Sequence, residues 1–305
     1  RSVMALDVYS GAVLAVKDLT DSKIGGSTVG PVAGGLIPFE YILNSGMAQR
    51  AYFLDYKGGL WAWGSKAVAA TAPYVDFRVD TSQLTNWSIR KVYQDSNKTT
   101  ALGARYSTLP APFRVGTFPG FGKSGSASPS AVGVAMVSGD RNNPLDQKYN
   151  TTTDIAPINH RLTVVFDRQD SRAWGLDSAA GHDAGVTDDG LANFTSNNVS
   201  ATPSDACADA VFKHITPGCP AYYLAPYTAG PPNVYGTPKF GYYVNFPSID
   251  KGFIPKGINP PMVVAGSLFY TYFQPTKSDP CKPGEGDSYS WLITDVMNPI
   301  VKDTR

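Results

Sequence analysis

The chain has 305 residues, a net charge of +1 and 17% charged residues, which gives no electrostatic case for binding nucleic acid or an anionic membrane. No run in it approaches the ~18 to 20 apolar residues that cross a bilayer. The 30 glycines and 24 prolines, beside 17 tyrosines and 14 phenylalanines, favour an all-β chain of short strands. A β-propeller accommodates this length because it distributes its core among several small sheets.

Residues 5–17 (ALDVYSGAVLAVK) predict a strand, a turn at Ser10 and Gly11, and a second strand. The sequence enters this unit directly from Arg1, and no signal peptide is visible. We therefore expect a processed chain or a fragment whose targeting segment lies elsewhere. Residues 25–38, which follow, are too rich in glycine for a helix.

Residues 50–66 (RAYFLDYKGGLWAWGSK) give the clearest local pattern, and the rest of the sequence reads as weaker copies of it. An apolar strand is followed by a turn from Asp55 to Gly59 and by a returning strand that contains Trp61. This order predicts a β-hairpin, because glycines such as Gly58 supply the positive φ that tight turns require. Such a unit is typical of the inner hairpin of a propeller blade.

Further strands are predicted from alternating or continuous apolar runs. They lie at residues 74–80, 87–93, 110–116, 131–137, 161–167, 241–246, 261–273 and 289–296. Their uneven spacing of ~40 to 60 residues per unit is typical of irregular blades. We therefore predict a single all-β domain over residues 1–305, an irregular β-propeller with a long loop insertion.

The insertion is predicted over about residues 175–235, which are polar and irregular, with a short helix near residues 205–214. Three cysteines, Cys207, Cys219 and Cys281, lie in loop-like sequence without a CxxC or histidine cluster, so we expect no zinc site. Loop cysteines indicate an oxidising compartment, with one disulfide of open connectivity and one cysteine left over.

Four segments, in order along the chain, resemble the C-terminal β-propeller domain of PilY-type proteins, the tip adhesins and biogenesis factors of bacterial type IV pili. They are residues 50–66, residues 132–145 (VGVAMVSGDRNNPL), residues 185–195 (GVTDDGLANFT), and residues 260–275 together with 279–296. The resemblance implies a location at the cell surface or pilus tip after export through the periplasm. It implies minor pilins or the tip complex, the remainder of its own precursor, and a host or abiotic surface as partners.

The same resemblance places a calcium loop of the form D-x-D-x-D-G-x-x-D directly before the blade hairpin. In this sequence its four ligand positions fall on Tyr41, Leu43, Ser45 and Gln49, and only Gly46 is kept. Ca²⁺ requires six to eight oxygens, carboxylates among them. Since Tyr41 and Leu43 supply no carboxylate, we predict no calcium at this loop.

An alternative calcium site is the acidic group in the insertion, because clustered carboxylates suit Ca²⁺. Its members are Asp177, Asp183, Asp188 and Asp189. Their spacing matches no EF-hand loop, so the favoured interpretation is a set of solvated loop acids. We predict no cofactor.

The turn that follows the strand at 131–137 is interpreted as structural. Asp140 is expected to bond its own turn backbone, and Arg141 to bridge neighbouring blades. Tryptophans such as Trp63, Trp174 and Trp291 are expected to pack within blades. Structural roles are therefore predicted for Asp55, Gly58, Gly59, Trp61, Gly139, Asp140 and Arg141.

No catalytic constellation is visible. His160, His182 and His214 lie in no catalytic motif and are interpreted as scattered surface or turn residues, and a GxSxG motif is absent. We predict a non-enzymatic adhesin that also serves pilus assembly. Two alternatives stay open: a quinone-dependent dehydrogenase-like propeller enzyme, whose repeats ALDVYSG resembles, and a structural subunit of an extracellular filament completed by strands of another polypeptide.

Overall fold

The computed structural model describes the chain in short ranges separated by gaps. They are residues 2–7, 9–19, 29–39, 48, 50–65, 87–95, 106–117, 130–142, 160–167, 187–188, 191–193, 241–246, 254–277, 285–293, 296 and 301–303. These residues form fifteen β-strands. The predicted strand at 74–80 and the predicted helix at 205–214 lie outside the described residues.

The strands form four sheets, named I to IV in chain order. Sheet I is the hairpin β1 (Ser2–Leu6) and β2 (Val13–Asp18). Sheet II is an antiparallel meander of β3 (Leu36–Phe39), β4 (Arg50–Leu54), β5 (Gly59–Ser65) and β6 (Trp87–Gln94). Sheet IV is a second four-stranded meander, of β12 (Met262–Val264), β13 (Ser267–Lys277), β14 (Glu285–Ile293) and β15 (Val301–Asp303).

Sheet III differs from the other sheets because it recruits a strand from the insertion. Its antiparallel part consists of β7 (Ala111–Thr117), β8 (Ser130–Val137), β9 (Arg161–Asp167) and β11 (Gly241–Asn245). The short strand β10 (Ala192–Asn193) pairs parallel with β11 at the edge. The predicted insertion therefore returns to the sheet at residues 192–193.

One predicted strand region is two strands. The continuous run predicted at 261–273 is divided by a two-residue turn, after which Val264 pairs with Ser267. Both turn residues have positive φ, 49° at Ala265 and 79° at Gly266. That combination suits the type I′ turn that joins twisted strands, and an apolar run masks it in the sequence.

The core lies between the sheets, and each internal sheet is apolar on both faces. Side chains alternate along a strand, so neighbouring residues enter different clusters. In β4, for example, Phe53 packs towards sheet I, whereas Tyr52 and Leu54 pack towards sheet III. In β8, Val134 packs towards sheet II and Ala135 towards sheet IV. Three apolar interfaces therefore join the sheets in the series I–II–III–IV, as blades of a propeller follow one another.

Candidate functional site

Asp55 holds the turn of the β4–β5 hairpin by accepting four hydrogen bonds. Its Oδ1 accepts from the backbone N–H groups of Lys57 and Gly59, at 2.9 and 2.8 Å. Its Oδ2 accepts from the backbone N–H of Gly30 and from the indole N–H of Trp61, both at 2.9 Å. Since Asp55 is only 2% exposed, these donors replace the water that its carboxylate would otherwise bind.

Two glycines make this geometry possible. Gly58 has a φ of +85°, a left-handed conformation that costs glycine nothing. A Cβ on Gly59 would lie 2.6 Å from Trp61 Nε1 and 2.8 Å from Asp55 Oδ2. Any larger residue at position 59 would therefore separate the carboxylate from its indole donor.

The turn at 138–142 lies beside this hairpin turn. The Tyr56 hydroxyl donates to Asp140 Oδ2 at 2.5 Å, and Asp140 Oδ1 accepts from the backbone N–H of Asn142 at 3.1 Å. A Cβ on Gly139 would lie 2.4 Å from the carbonyl oxygen of Gly257, which precedes sheet IV. Asp140 therefore connects sheets II and III, and Gly139 permits the close approach of the segment that leads into sheet IV.

Arg141 contributes here through its backbone. Its side chain is exposed, whereas its N–H donates to Ser107 Oγ at 2.7 Å. Ser107 Oγ in turn donates to the carbonyl of Gly139 at 2.9 Å. Main-chain groups of residues 139–141 therefore link this turn to Ser107, which lies shortly before the strand that begins at residue 111.

The first residue of β9 is the centre of a buried ionic cluster between sheets II and III. Arg161 Nη2 lies 2.6 Å from Asp95 Oδ1 and 2.7 Å from Asp188 Oδ1. The Tyr106 hydroxyl donates to Asp95 Oδ2 at 2.7 Å, and the Tyr93 hydroxyl donates to Asp188 Oδ1 at 2.6 Å. We call these five residues the Arg161 cluster. It binds the insertion, which carries Asp188, to both sheets.

The last residue of β9 forms a second cluster. Asp167 Oδ2 accepts from Arg50 Nη1 and from the Tyr52 hydroxyl, each at 2.7 Å, and Oδ1 pairs with Arg90. Burial by itself raises the pKa of the Asp167 carboxyl, but the guanidinium groups of Arg90 and Arg50 outweigh burial and hold that pKa below its usual value. We call these four residues the Asp167 cluster. Its carboxylate stays ionised although only 1% of Asp167 is exposed.

Asp188 is the only member of the alternative calcium set that the structure describes. Its Oδ1 lies 2.7 Å from the guanidinium of Arg161, whose positive charge opposes the binding of a cation to that oxygen. The other members, Asp177, Asp183 and Asp189, lie outside the described residues. Within the described ranges no group of three or more histidine, cysteine, aspartate or glutamate side chains is arranged to hold a metal ion.

Other predicted site residues fall in the gaps. Tyr41, Leu43, Ser45 and Gln49 of the degenerate calcium loop lie outside the described residues, so the prediction for that loop stays a prediction. The same holds for Cys207, Cys219 and Cys281 and for Trp174.

One histidine departs from its prediction as a surface or turn residue. His160 is fully buried directly before β9, where its Nδ1 lies 3.3 Å from Ser138 Oγ. The pattern of the sequence did not show this, because the burial of a residue beside a strand depends on the segments packed over it. Trp61, Trp63 and Trp291 are buried among the sheets, as expected for packing aromatics.

Sequence reasoning missed both ionic clusters. Their signal was a charge at each end of the apolar strand RLTVVFD, where Arg161 and Asp167 lie. The partners are remote in sequence: Asp167 and Arg50 are separated by 117 residues, and Arg161 and Asp95 by 66. Chemically, both clusters pair each carboxylate with guanidinium and hydroxyl donors, an arrangement that ties neighbouring sheets together.

No protein-family model matches the sequence, and no curated protein matches it significantly. Among solved structures, the crystal structure of the Pseudomonas aeruginosa PilY1 C-terminal domain aligns with 98% of this chain at a TM-score of 0.54 and 13% identity. This chain has a PilY1-like fold. The all-β fold of propeller type that the sequence predicts is therefore confirmed. The chain spans about half of that PilY1 structure, of which it covers 53%.

Among the described residues there is no helix with the length and hydropathy that a membrane span requires.

Proposed function

We propose that this protein is a type IV pilus tip-associated adhesin that also serves pilus assembly, and that it binds surfaces without catalysing a reaction. The observation that carries the proposal is the fold likeness to the PilY1 C-terminal domain over 98% of the chain. The four sequence segments that resemble PilY-type proteins support it independently. The protein is then exported through the periplasm and displayed at the cell surface.

The physical basis is a series of packed sheets to which the insertion is bound at Asp188. The Arg161 cluster binds the insertion at Asp188 through two donors, Arg161 Nη2 at 2.7 Å and the Tyr93 hydroxyl at 2.6 Å. A contact surface that is already held in place loses less conformational entropy on binding. The insertion is the part of the chain that we assign to surface contact.

The proposed partners are minor pilins or the tip complex, the remainder of a PilY-type precursor, and a host or abiotic surface. A tagged protein expressed from its own locus tests the first two. We expect pilins and minor pilins in its eluate from sheared filaments, identified by mass spectrometry. Recovery of the protein alone, with no pilin and with wild-type numbers of filaments in a deletion strain, would contradict the proposal.

Adhesion is separated from assembly by a matched pair of variants in the insertion. Asp188→Ala removes the contact with Arg161, whereas Thr187→Ala changes the exposed neighbouring residue. We expect Asp188→Ala to lower attachment of cells to a surface while filament counts by electron microscopy stay unchanged, and Thr187→Ala to leave both unchanged. Equal attachment of the two strains would exclude the insertion as the contact region.

The enzyme alternative has its own test. A quinone-dependent dehydrogenase carries a chromophore with a visible or near-ultraviolet absorbance of its own. We expect no such absorbance in the protein purified from its source. A stoichiometric quinone released on unfolding would reverse it.

A further inference from the structure

Asp188 and residues 191–193 of the insertion contact the sheets, and we call them the docked residues. Asp188 Oδ1 accepts hydrogen bonds from Arg161 Nη2 at 2.7 Å and from the Tyr93 hydroxyl at 2.6 Å. Leu191 is only 3% exposed and belongs to the apolar cluster between sheets II and III. The two residues that follow it are β10, which pairs with the edge of sheet III.

These contacts are of the kinds by which proteins bind extended peptides. A strand added to a sheet edge supplies main-chain hydrogen bonds, and pockets for single side chains supply specificity. Here β10 is the added strand, and it runs parallel to β11, whereas the other neighbours in sheet III are antiparallel. The Arg161–Tyr93 donor pair receives a carboxylate, and the apolar cluster receives a leucine three residues later.

Contacts among sheet residues hold the carboxylate pocket in place. Arg161 Nη2 lies 2.6 Å from Asp95 Oδ1, and its guanidinium lies over the ring of Tyr243, 4.5 Å from the centroid. Arg161 Nη2 also donates to the Tyr93 hydroxyl at 2.8 Å. Arg161, Asp95 and Tyr93 are 3%, 2% and 0% exposed, whereas 17% of the Asp188 side chain is exposed. Donors that are oriented in this way lose less conformational entropy when a carboxylate binds.

The docked residues are joined to the sheets through long stretches of sequence. Residues 168–187 separate Asp188 from β9, and residues 194–240 separate β10 from β11. The effective concentration of a ligand tethered in the same chain falls as its connections lengthen. A segment of the same chemistry in another chain therefore competes more effectively against these docked residues than against a closely tethered strand.

We propose that the edge of the interface between sheets II and III is a binding site for an extended acidic peptide, with a carboxylate three residues before a leucine. The docked residues occupy this site as an intramolecular ligand, and a segment of the same chemistry from another chain displaces them. The inference rests on contacts within this chain and not on the proposed role in pili, so its failure would leave that role standing.

A labelled peptide with the sequence of residues 187–193 (TDDGLAN) tests the site by fluorescence anisotropy on the full 305-residue chain. The double variant Asp188→Ala/Leu191→Ala removes both anchoring side chains of the intramolecular ligand. We expect it to bind the peptide at least ~10-fold more tightly than wild type, because an occupied site lowers the apparent affinity by the fraction that is free. Binding to neither protein, or equal binding to both, would overturn the proposal.

Far-ultraviolet circular dichroism checks the fold of the double variant. We expect a folded protein, because the contacts that form the pocket lie within the sheets. A double variant that fails to fold would show that the docked residues belong to the core, and it would overturn the proposal of a displaceable ligand.

Two peptides of equal charge test the recognition of the carboxylate. TNDGLAN carries Asp188→Asn, and its matched control TDNGLAN carries Asp189→Asn. We expect TNDGLAN to bind the double variant at least ~10-fold more weakly than TDDGLAN, because an amide accepts no charge-assisted hydrogen bond, and TDNGLAN to bind unchanged. Equal affinities of the two asparagine peptides would indicate general charge attraction and would overturn the assignment.

A hydroxyl deletion locates the binding on the protein. Tyr93→Phe, added to the double variant, removes one of the two donors to the carboxylate, whereas Tyr9→Phe changes a turn residue that is 97% exposed. We expect Tyr93→Phe to weaken peptide binding ~3- to 10-fold and Tyr9→Phe to leave it unchanged. Peptide binding that Tyr93→Phe does not weaken would place the peptide elsewhere and would overturn the proposed site.

Discussion

Replacing Asp55 by alanine removes one acceptor group from several buried donors at once. The backbone N–H groups of Gly30 and Gly59 and the indole N–H of Trp61 all lose their acceptor in a buried site. The N–H of Lys57 is part-buried, so water is a substitute acceptor there. At about 1–2 kcal/mol for each buried donor left without an acceptor, the expected loss is about 3–6 kcal/mol. That is a large share of the ~5–15 kcal/mol that holds a typical domain folded.

A chemically similar turn in the same chain provides the control. Asp7 begins the β1–β2 turn as Asp55 begins the β4–β5 turn, and its Oδ1 accepts from the N–H groups of Tyr9 and Ser10 at 3.0 and 2.7 Å. These contacts are exposed, so water replaces the carboxylate when Asp7→Ala is made. We expect Asp7→Ala to shift the unfolding midpoint much less than Asp55→Ala.

The measurement is urea unfolding followed by far-ultraviolet circular dichroism, with tryptophan emission as a second probe. Asp55→Asn is expected to lie between wild type and Asp55→Ala, because the amide keeps one acceptor oxygen and turns its NH₂ towards two donors. If Asp55→Ala lost no more stability than Asp7→Ala, the buried carboxylate would not be what holds this hairpin.

Four further outcomes are expected. Gly133→Ala places a Cβ 2.1 Å from the ring of Phe113, and we expect it to lower the free energy of unfolding in urea by about 1–3 kcal/mol. The double variant that also carries Phe113→Leu should recover stability. A Gly133→Ala variant as stable as wild type would contradict the packing of these two residues. The pKa of Asp167 is lowered in the folded state, so the contribution of its carboxylate to the free energy of unfolding is complete above pH 3.8 and is lost as pH falls through the lower folded value. The difference in stability between wild type and Asp167→Asn should therefore shrink only below pH 3.8. A difference that shrinks above that pH would refute the assignment. Burial raises the pKa of Tyr93 and of Tyr106 well above 10.0, so the contribution of these neutral phenols to the free energy of unfolding is complete below pH 10.0 and is lost as pH rises through the folded values. In wild type their ionisation should appear in the phenolate absorbance as a late titration coupled to unfolding, which Tyr93→Phe and Tyr106→Phe should remove. An unchanged titration curve would count against the burial of these hydroxyls. Chelation of calcium is expected to leave the unfolding midpoint and surface binding unchanged, and a loss of either that added Ca²⁺ restores would show a metal site in the chain.

The two buried clusters show why local sequence patterns predicted the strands but did not predict the contacts between sheets. Alternation and glycine-rich turns depend on residues close in sequence, so strands β6, β8 and β9 lie within a residue or two of their predicted positions. The two-residue turn at Ala265 and Gly266 escaped this reasoning because only Gly266 and Ser267 interrupt the apolar run from Met262 to Tyr270. Side-chain pairs across sheets have no comparable local signature.

By itself, the sequence determined the all-β class, the hairpin held by Asp55 and the PilY-type resemblance, because each depends on residues near one another in the chain. Only the tertiary structure decided that Arg161 pairs with Asp95 and Asp188, and that Asp167 pairs with Arg50. It also decided which faces are covered, since a strand such as β1 alternates in the same way whether a sheet packs on one of its sides or on both. Charge pairing and burial depend on the order in which the sheets stack, and the alternation of residues along a single strand does not reveal that order.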